Sequence, residues 1–194
     1  GGEGGEVVDA GGMVAGVGDA EVGEELYGKV ANDNRIGLYA RMAMVRYYEG
    51  KLDRTEELKG ALEAVLESWP AMEEARNDLR YLRLLDGSGG EVEREEAKAA
   101  MERAPEMLAN RVTAALAELL EGDAGRAREN LAAYPVNWRE VNPGWQAVEA
   151  AVAAANGEME SARAVRVRLM GKPLRPCEQA LLDRYVGGRD CVAR

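Results

Sequence analysis

The sequence predicts an all-α chain assembled from helix pairs, and three observations carry that prediction. From Glu21 onward Ala, Leu, Glu, Arg and Met dominate while clusters of β-branched residues are almost absent, a composition that favours helix over strand. Apolar residues recur at spacings of three and four, and no stretch alternates with period two for long enough to make a strand. Helix-stopping glycines and helix-starting prolines also follow one another in a fixed order. Gly50 to Gly87 spans 37 residues, and Gly87 to Gly122, Gly122 to Gly157 and Pro70 to Pro105 each span 35. A unit of helix, glycine turn, second helix and proline thus repeats about every 35 residues.

Residues 1–19 are glycine-rich and weakly acidic, and their backbone entropy opposes any regular element, so they read as a flexible tail. No Gly-Lys-Ser/Thr follows those glycines, which argues against a phosphate loop. Residues 20–34 read as an N-terminal capping helix. The first pair, 36–70, places Leu38, Met42 and Val45 on one stripe and Leu58, Leu62, Val65, Leu66 and Trp69 on the next, with Gly50 between them. The second, 71–105, carries Met72, Ala75, Leu79 and Leu82, then a turn lengthened to Gly87-Ser88-Gly89-Gly90, then Ala97, Ala100, Met101 and Ala104. In the third, 106–143, Leu108, Val112, Ala115, Leu116, Leu119 and Leu120 precede Gly122, and a loop from Tyr134 to Pro143 carries Trp138. The fourth, 144–173, follows the N-cap and first-turn pair Asn142-Pro143 with Trp145, Val148, Val152 and Ala155, and after Gly157 with Met159, Ala162, Val165 and Leu169. Residues 174–194 form a C-terminal capping helix and tail, in which Pro176 opens the helix and Cys177, Leu181 and Tyr185 share a face.

Charge and inventory exclude much. With 35 acidic against 25 basic residues the net charge is −10, so phosphate backbones meet no attractive long-range field and nucleic acid is not expected as a partner. There is no His, which removes Ser/His and Cys/His nucleophile pairs, His-ligated zinc and the commonest general base. The acidic runs Glu73-Glu74 and Glu93-Arg94-Glu95-Glu96 read as solvated faces with weak ion pairs. No enzyme, metal or cofactor is therefore expected. Cys177 and Cys191 lie fourteen residues apart, too few thiols for a zinc site and too far apart for a Cys-x-x-Cys motif. They read either as a terminal disulfide or as a helix-face thiol and a tail thiol. The longest apolar stretch, Ala150 to Ala155, is far short of the roughly 18 residues a membrane helix needs, so a soluble chain without membrane insertion is expected, cytoplasmic or periplasmic. The start Gly1-Gly2-Glu3 reads as a processed or excised product.

The period and order of these elements resemble the tetratricopeptide repeat, over residues 36 to about 170. Two stretches carry the resemblance best: Gly122-Asp123-Ala124-Gly125-Arg126-Ala127 and Gly157-Glu158-Met159-Glu160-Ser161-Ala162, each a turn glycine, an acidic residue and an alanine five after the glycine. Ala43, Ala115 and Ala150 stand seven residues before Gly50, Gly122 and Gly157, where the family packs its helices closest. The chain departs from the family in lacking the usual aromatic of the second helix, in Thr55 after Gly50, and in the Trp138 loop. The resemblance implies a right-handed superhelical α-solenoid of about four antiparallel helix pairs. It also implies a non-catalytic module that binds a peptide or partner protein in a groove lined by the first helix of each pair.

Residues off the apolar stripes of those first helices are the candidate groove: Tyr39, Met44 and Tyr47; Asn77, Arg80 and Tyr81; Asn110, Arg111 and Thr113. Asn77 and Asn110, 33 residues apart, would hold a partner's backbone amides while Arg80 or Arg111 meets a carboxylate with two parallel hydrogen bonds. Each of these residues, and Tyr48 beside them, has packing or capping as its plainer alternative. Trp138 and Trp145 bracket the inserted loop as docking anchors or buried hinges. The alanines of 147–155 would let a second helix approach, either within the stack or in a self-association face of a homo-oligomer, the alternative function.

Overall fold

The computed structural model describes residues 37–187, which form α-helices with no strand among them. The expected tail at 1–19, the helix at 20–34 and Cys191 lie outside the described residues. The chain comprises two compact units, divided after Arg76.

In the first unit α1 (Gly37–Glu49) packs on α2 (Thr55–Ser68). Leu58, Leu62 and Val65 of the expected α2 stripe are buried, and Thr55 opens the helix. On α1 the buried face is Ala40, Val45 and Tyr48, whereas Leu38 and Met42 of the expected stripe are only half-buried. Arg41 Nη1 joins the two helices by donating to the Ala64 carbonyl at 2.9 Å. Tyr47 and Tyr48 meet edge to face at 5.1 Å, with Lys51 over the Tyr47 ring and Arg54 over the Tyr48 ring.

The division falls in the first turn of α3 (Glu73–Asp86). The second unit continues with α4 (Glu91–Arg103), α5 (Leu108–Glu121), α6 (Ala124–Ala132), α7 (Pro143–Ala155), α8 (Met159–Leu169) and α9 (Pro176–Val186). Within it α5 packs on α4, α6 and α7, and α7 packs on α5, α6, α8 and α9. The starts of α3, α5 and α7, at 73, 108 and 143, are 35 residues apart.

The helix ends follow from local chemistry. Gly87, Gly122 and Gly157 have φ of 78°, 89° and 84°, the left-handed conformation that closes a helix without a Cβ clash. At Gly122 the next N–H, Asp123, donates to Glu118 O at 3.0 Å, and 35 residues on Glu158 N donates to Ala153 O at 2.9 Å, the same closing motif. The lengthened turn after Gly87 closes differently, with Gly89 N donating to Arg83 O. Asp123 caps α6 by accepting from Arg126 N at 2.9 Å, and Asn142 caps α7 by accepting from Gly144 N at 2.7 Å ahead of Pro143.

Small residues sit where helices approach most closely: Ala97, Ala115, Ala127, Ala150 and Ala162 have no exposed surface. Ala147, Ala150, Ala162, Val165, Leu169, Leu182 and Val186 make one apolar cluster shared by α7, α8 and α9. Ala147, Ala150 and Ala151 of α7 are consequently packing residues inside this unit, where four neighbouring helices meet that helix, and they offer no docking surface, whereas Ala153 and Ala154 are half-buried and Ala155 is exposed. None of the described helices is long and apolar enough to cross a membrane.

Candidate functional site

Most of the candidate groove residues point inward. Asn77 and Arg80 of α3 are 4% exposed, and Arg80 Nη2 reaches Glu96 at 3.0 Å. Asn110 Nδ2 donates to Ala100 O at 3.2 Å, a carbonyl in the last turn of α4 that also accepts from Ala104 N. Arg111, 3% exposed, donates from Nη1 to the carbonyls of Leu131 and Tyr134 and lies 5.1 Å from the Tyr134 ring. Thr113 is buried and donates to Ala109 O. Tyr47 and Met44 are half-buried on α1, and Tyr39 is exposed. Arg111, Thr113, Arg80 and Tyr81 thus spend part of their polarity inside the described fold, and Asn77 is buried there. Helix α5 is covered on every side, buried without interruption from Arg111 to Leu119, so a residue off its apolar stripe is not on a free face. Among the described residues Asn77 Oδ1, Arg80 Nε and Nη1, and Arg111 Nε are buried without a hydrogen-bond partner.

Tyr81 belongs to a buried polar cluster that joins α3, α7 and α9. Its hydroxyl donates to Glu178 Oε1 at 3.3 Å, while Glu178 Oε2 accepts from Arg175 N at 2.8 Å and closes the first turn of α9. Gly144 at the start of α7 makes room, since a Cβ there would overlap the Glu178 carboxylate. Burial pushes the Glu178 carboxyl above the usual carboxylate range, against the lowering effect of its hydrogen bonds. Burial, with the adjacent Glu178 charge, likewise raises the Tyr81 phenol well above its ordinary value. Cys177, half-buried in the first turn of α9, is raised first by burial and then by Glu178, which keeps it a thiol. The cluster has the character of a capped helix start in a dry setting.

An open concavity of about 220 Å³ lies where α6, α7 and α8 meet. Trp138, half-buried in the loop before α7, lines it with Leu131 and Val152, which make its apolar part. Its rim is charged. Glu149, raised by burial and restrained by Arg168, pairs with Arg168 Nη2 at 3.4 Å, and Arg128 pairs with Glu158. Trp145 is half-buried in the first turn of α7 and does not line this concavity. The inserted loop marks Trp138 in the sequence as a docking anchor or a buried hinge. Sequence reading missed Leu131, Glu149 and Val152, because residues from different helices share no spacing that brings them together. No protein-family model, no curated protein and no solved structure matches the chain.

Proposed function

We propose that this chain is a non-catalytic interaction module, a tetratricopeptide-like scaffold of helix pairs that binds a peptide or a partner protein. The observation that carries this reading is the 35-residue recurrence in the chain: helix starts at 73, 108 and 143, and left-handed turn glycines at 87, 122 and 157. Helix-pair repeats build their cores from neighbour to neighbour and leave concavities between elements, which is how such arrays serve as binding surfaces. The docking place is the Trp138 concavity. Its aromatic wall and aliphatic floor favour an apolar side chain, and its two ion pairs supply a rim that orients the partner's backbone.

Selection of peptides from a random display library on the immobilised protein tests the proposal. Peptides carrying a large apolar residue should be enriched, and Trp138→Ala should weaken their binding at least tenfold with an unchanged melting temperature. Failure to enrich any peptide above a scaffold control, or binding indifferent to Trp138→Ala, overturns the docking assignment. A light-scattering mass that rises with concentration, with no peptide enriched, moves the function to self-association.

A further inference from the structure

A second concavity, of about 570 Å³, opens beside the α7, α8 and α9 cluster and shares no lining residue with the Trp138 concavity. Its apolar lining is Ala154, Ala155, Met159, Tyr185 and Val186, and two exposed guanidinium groups stand on it, Arg163 from α8 and Arg184 from α9. Among the described residues neither arginine has an ion pair or hydrogen bond to a carboxylate. The nearby acid Asp183 is taken up by Arg166 at 2.8 Å. Arg184 lies 5.4 Å from the Tyr185 ring, a stacking that restricts the guanidinium without using its donors.

In a chain of net charge −10, two uncompensated arginines on one concavity reverse the prevailing sign locally. Guanidinium groups match carboxylates through paired hydrogen bonds, and desolvation against an apolar floor strengthens such bonds. The floor also selects against a bare anion, since it gains only when an apolar group covers it. We infer that this concavity is a docking site for an acidic segment of a partner protein, with glutamate or aspartate side chains on Arg163 and Arg184 and an intervening apolar side chain against Met159 and Val186. This goes beyond the Trp138 site, uses none of its residues, and stands or falls separately.

The test is fluorescence anisotropy of the full chain with a labelled peptide of alternating glutamate and leucine, beside the same peptide with glutamine in place of glutamate. The acidic peptide should bind and weaken as salt is raised, and the glutamine peptide should bind at least tenfold more weakly. Arg163→Gln with Arg184→Gln should reduce binding at least tenfold, and both positions are exposed, so folding is retained. Arg46→Gln, an exposed change on α1, should leave binding unchanged. Equal binding by the double variant, equal binding of the glutamine peptide, or no binding at all overturns the inference. A mass near that of a dimer that returns to monomer in the double variant also overturns it, by making a second copy of this acidic chain the occupant.

Discussion

Gly144 lets α7 and α9 meet, because the carboxylate of Glu178 occupies the space its Cβ would need. Gly144→Ala should therefore cost about 1–3 kcal/mol by forcing the buried carboxylate aside. Gly60→Ala, at an exposed site on α2 with nothing within 4 Å, should instead stabilise by up to about 1 kcal/mol through helix propensity. Urea unfolding of both variants checks the pair, and a stabilised Gly144→Ala would contradict the close approach. Glu178 itself makes stability depend on pH. Its folded-state pKa is raised, so the folded chain holds the proton to higher pH than the unfolded chain, whose carboxyl titrates near about 4.3. The stability this proton contributes is full below the unfolded value and is lost as pH rises through the folded value. Glu178→Gln cannot ionise, and its melting temperature should gain on the native chain's as pH rises from about 4 to neutrality. Glu118 and Glu149, also raised, are present in both proteins and cancel in the difference. A difference that stays constant with pH would show that Glu178 is not held in a desolvated site.

At the scale of elements, the recurring device is the helix closed by a left-handed glycine and followed by an acidic residue. Asp123 and Glu158 both donate their N–H back across the turn, yet only Asp123 also caps the next helix through its side chain. Gly122→Ala and Gly157→Ala should each cost about 1–2 kcal/mol, the penalty of a Cβ in the left-handed region. Equal losses in the two variants would follow from equivalent turns, and chemical denaturation curves measure both. Asparagine side chains then tie consecutive helices together. Asn110 reaches the end of α4, and Asn156 Nδ2 donates to Ala124 O at the start of α6 at 2.7 Å.

On the scale of the whole molecule, burial is concentrated where helices have neighbours on several sides. Within the second unit α7 contacts α5, α6, α8 and α9, and α5 is covered from Arg111 to Leu119. Hydrogen exchange should find the slowest amides in α5 and α7 and faster exchange in α8 and α9, since opening an outer helix exposes less apolar surface. Mass spectrometry of exchanged peptides reads this directly, and equal protection across the unit would mean that it opens all at once. The two concavities belong to this scale as well, because each is bounded by several elements.

What the sequence by itself determined is local. Propensity, glycine and proline punctuation and the Asn142-Pro143 cap depend on residues a turn apart, so the helices and their ends could be read without knowing what lies beside them. The same reading placed Trp138 as a candidate anchor, since an insertion breaks the period visibly. Only the tertiary structure decided which faces are covered. Arg80, Asn110 and Arg111 are polar and off the stripe, yet the packing turns them to Glu96, to the end of α4 and to the carbonyls of Leu131 and Tyr134 at and just past the end of α6. The alanines of α7 could serve an outer face or an inner one, and the four neighbouring helices turn Ala147, Ala150 and Ala151 inward while Ala155 stays exposed. Glu178, the one glutamate of its short helix, became a buried acid because Tyr81 and Gly144, far away in sequence, close over it. Periodicity states which residues share a face of a helix, and burial depends on how many other helices that face meets.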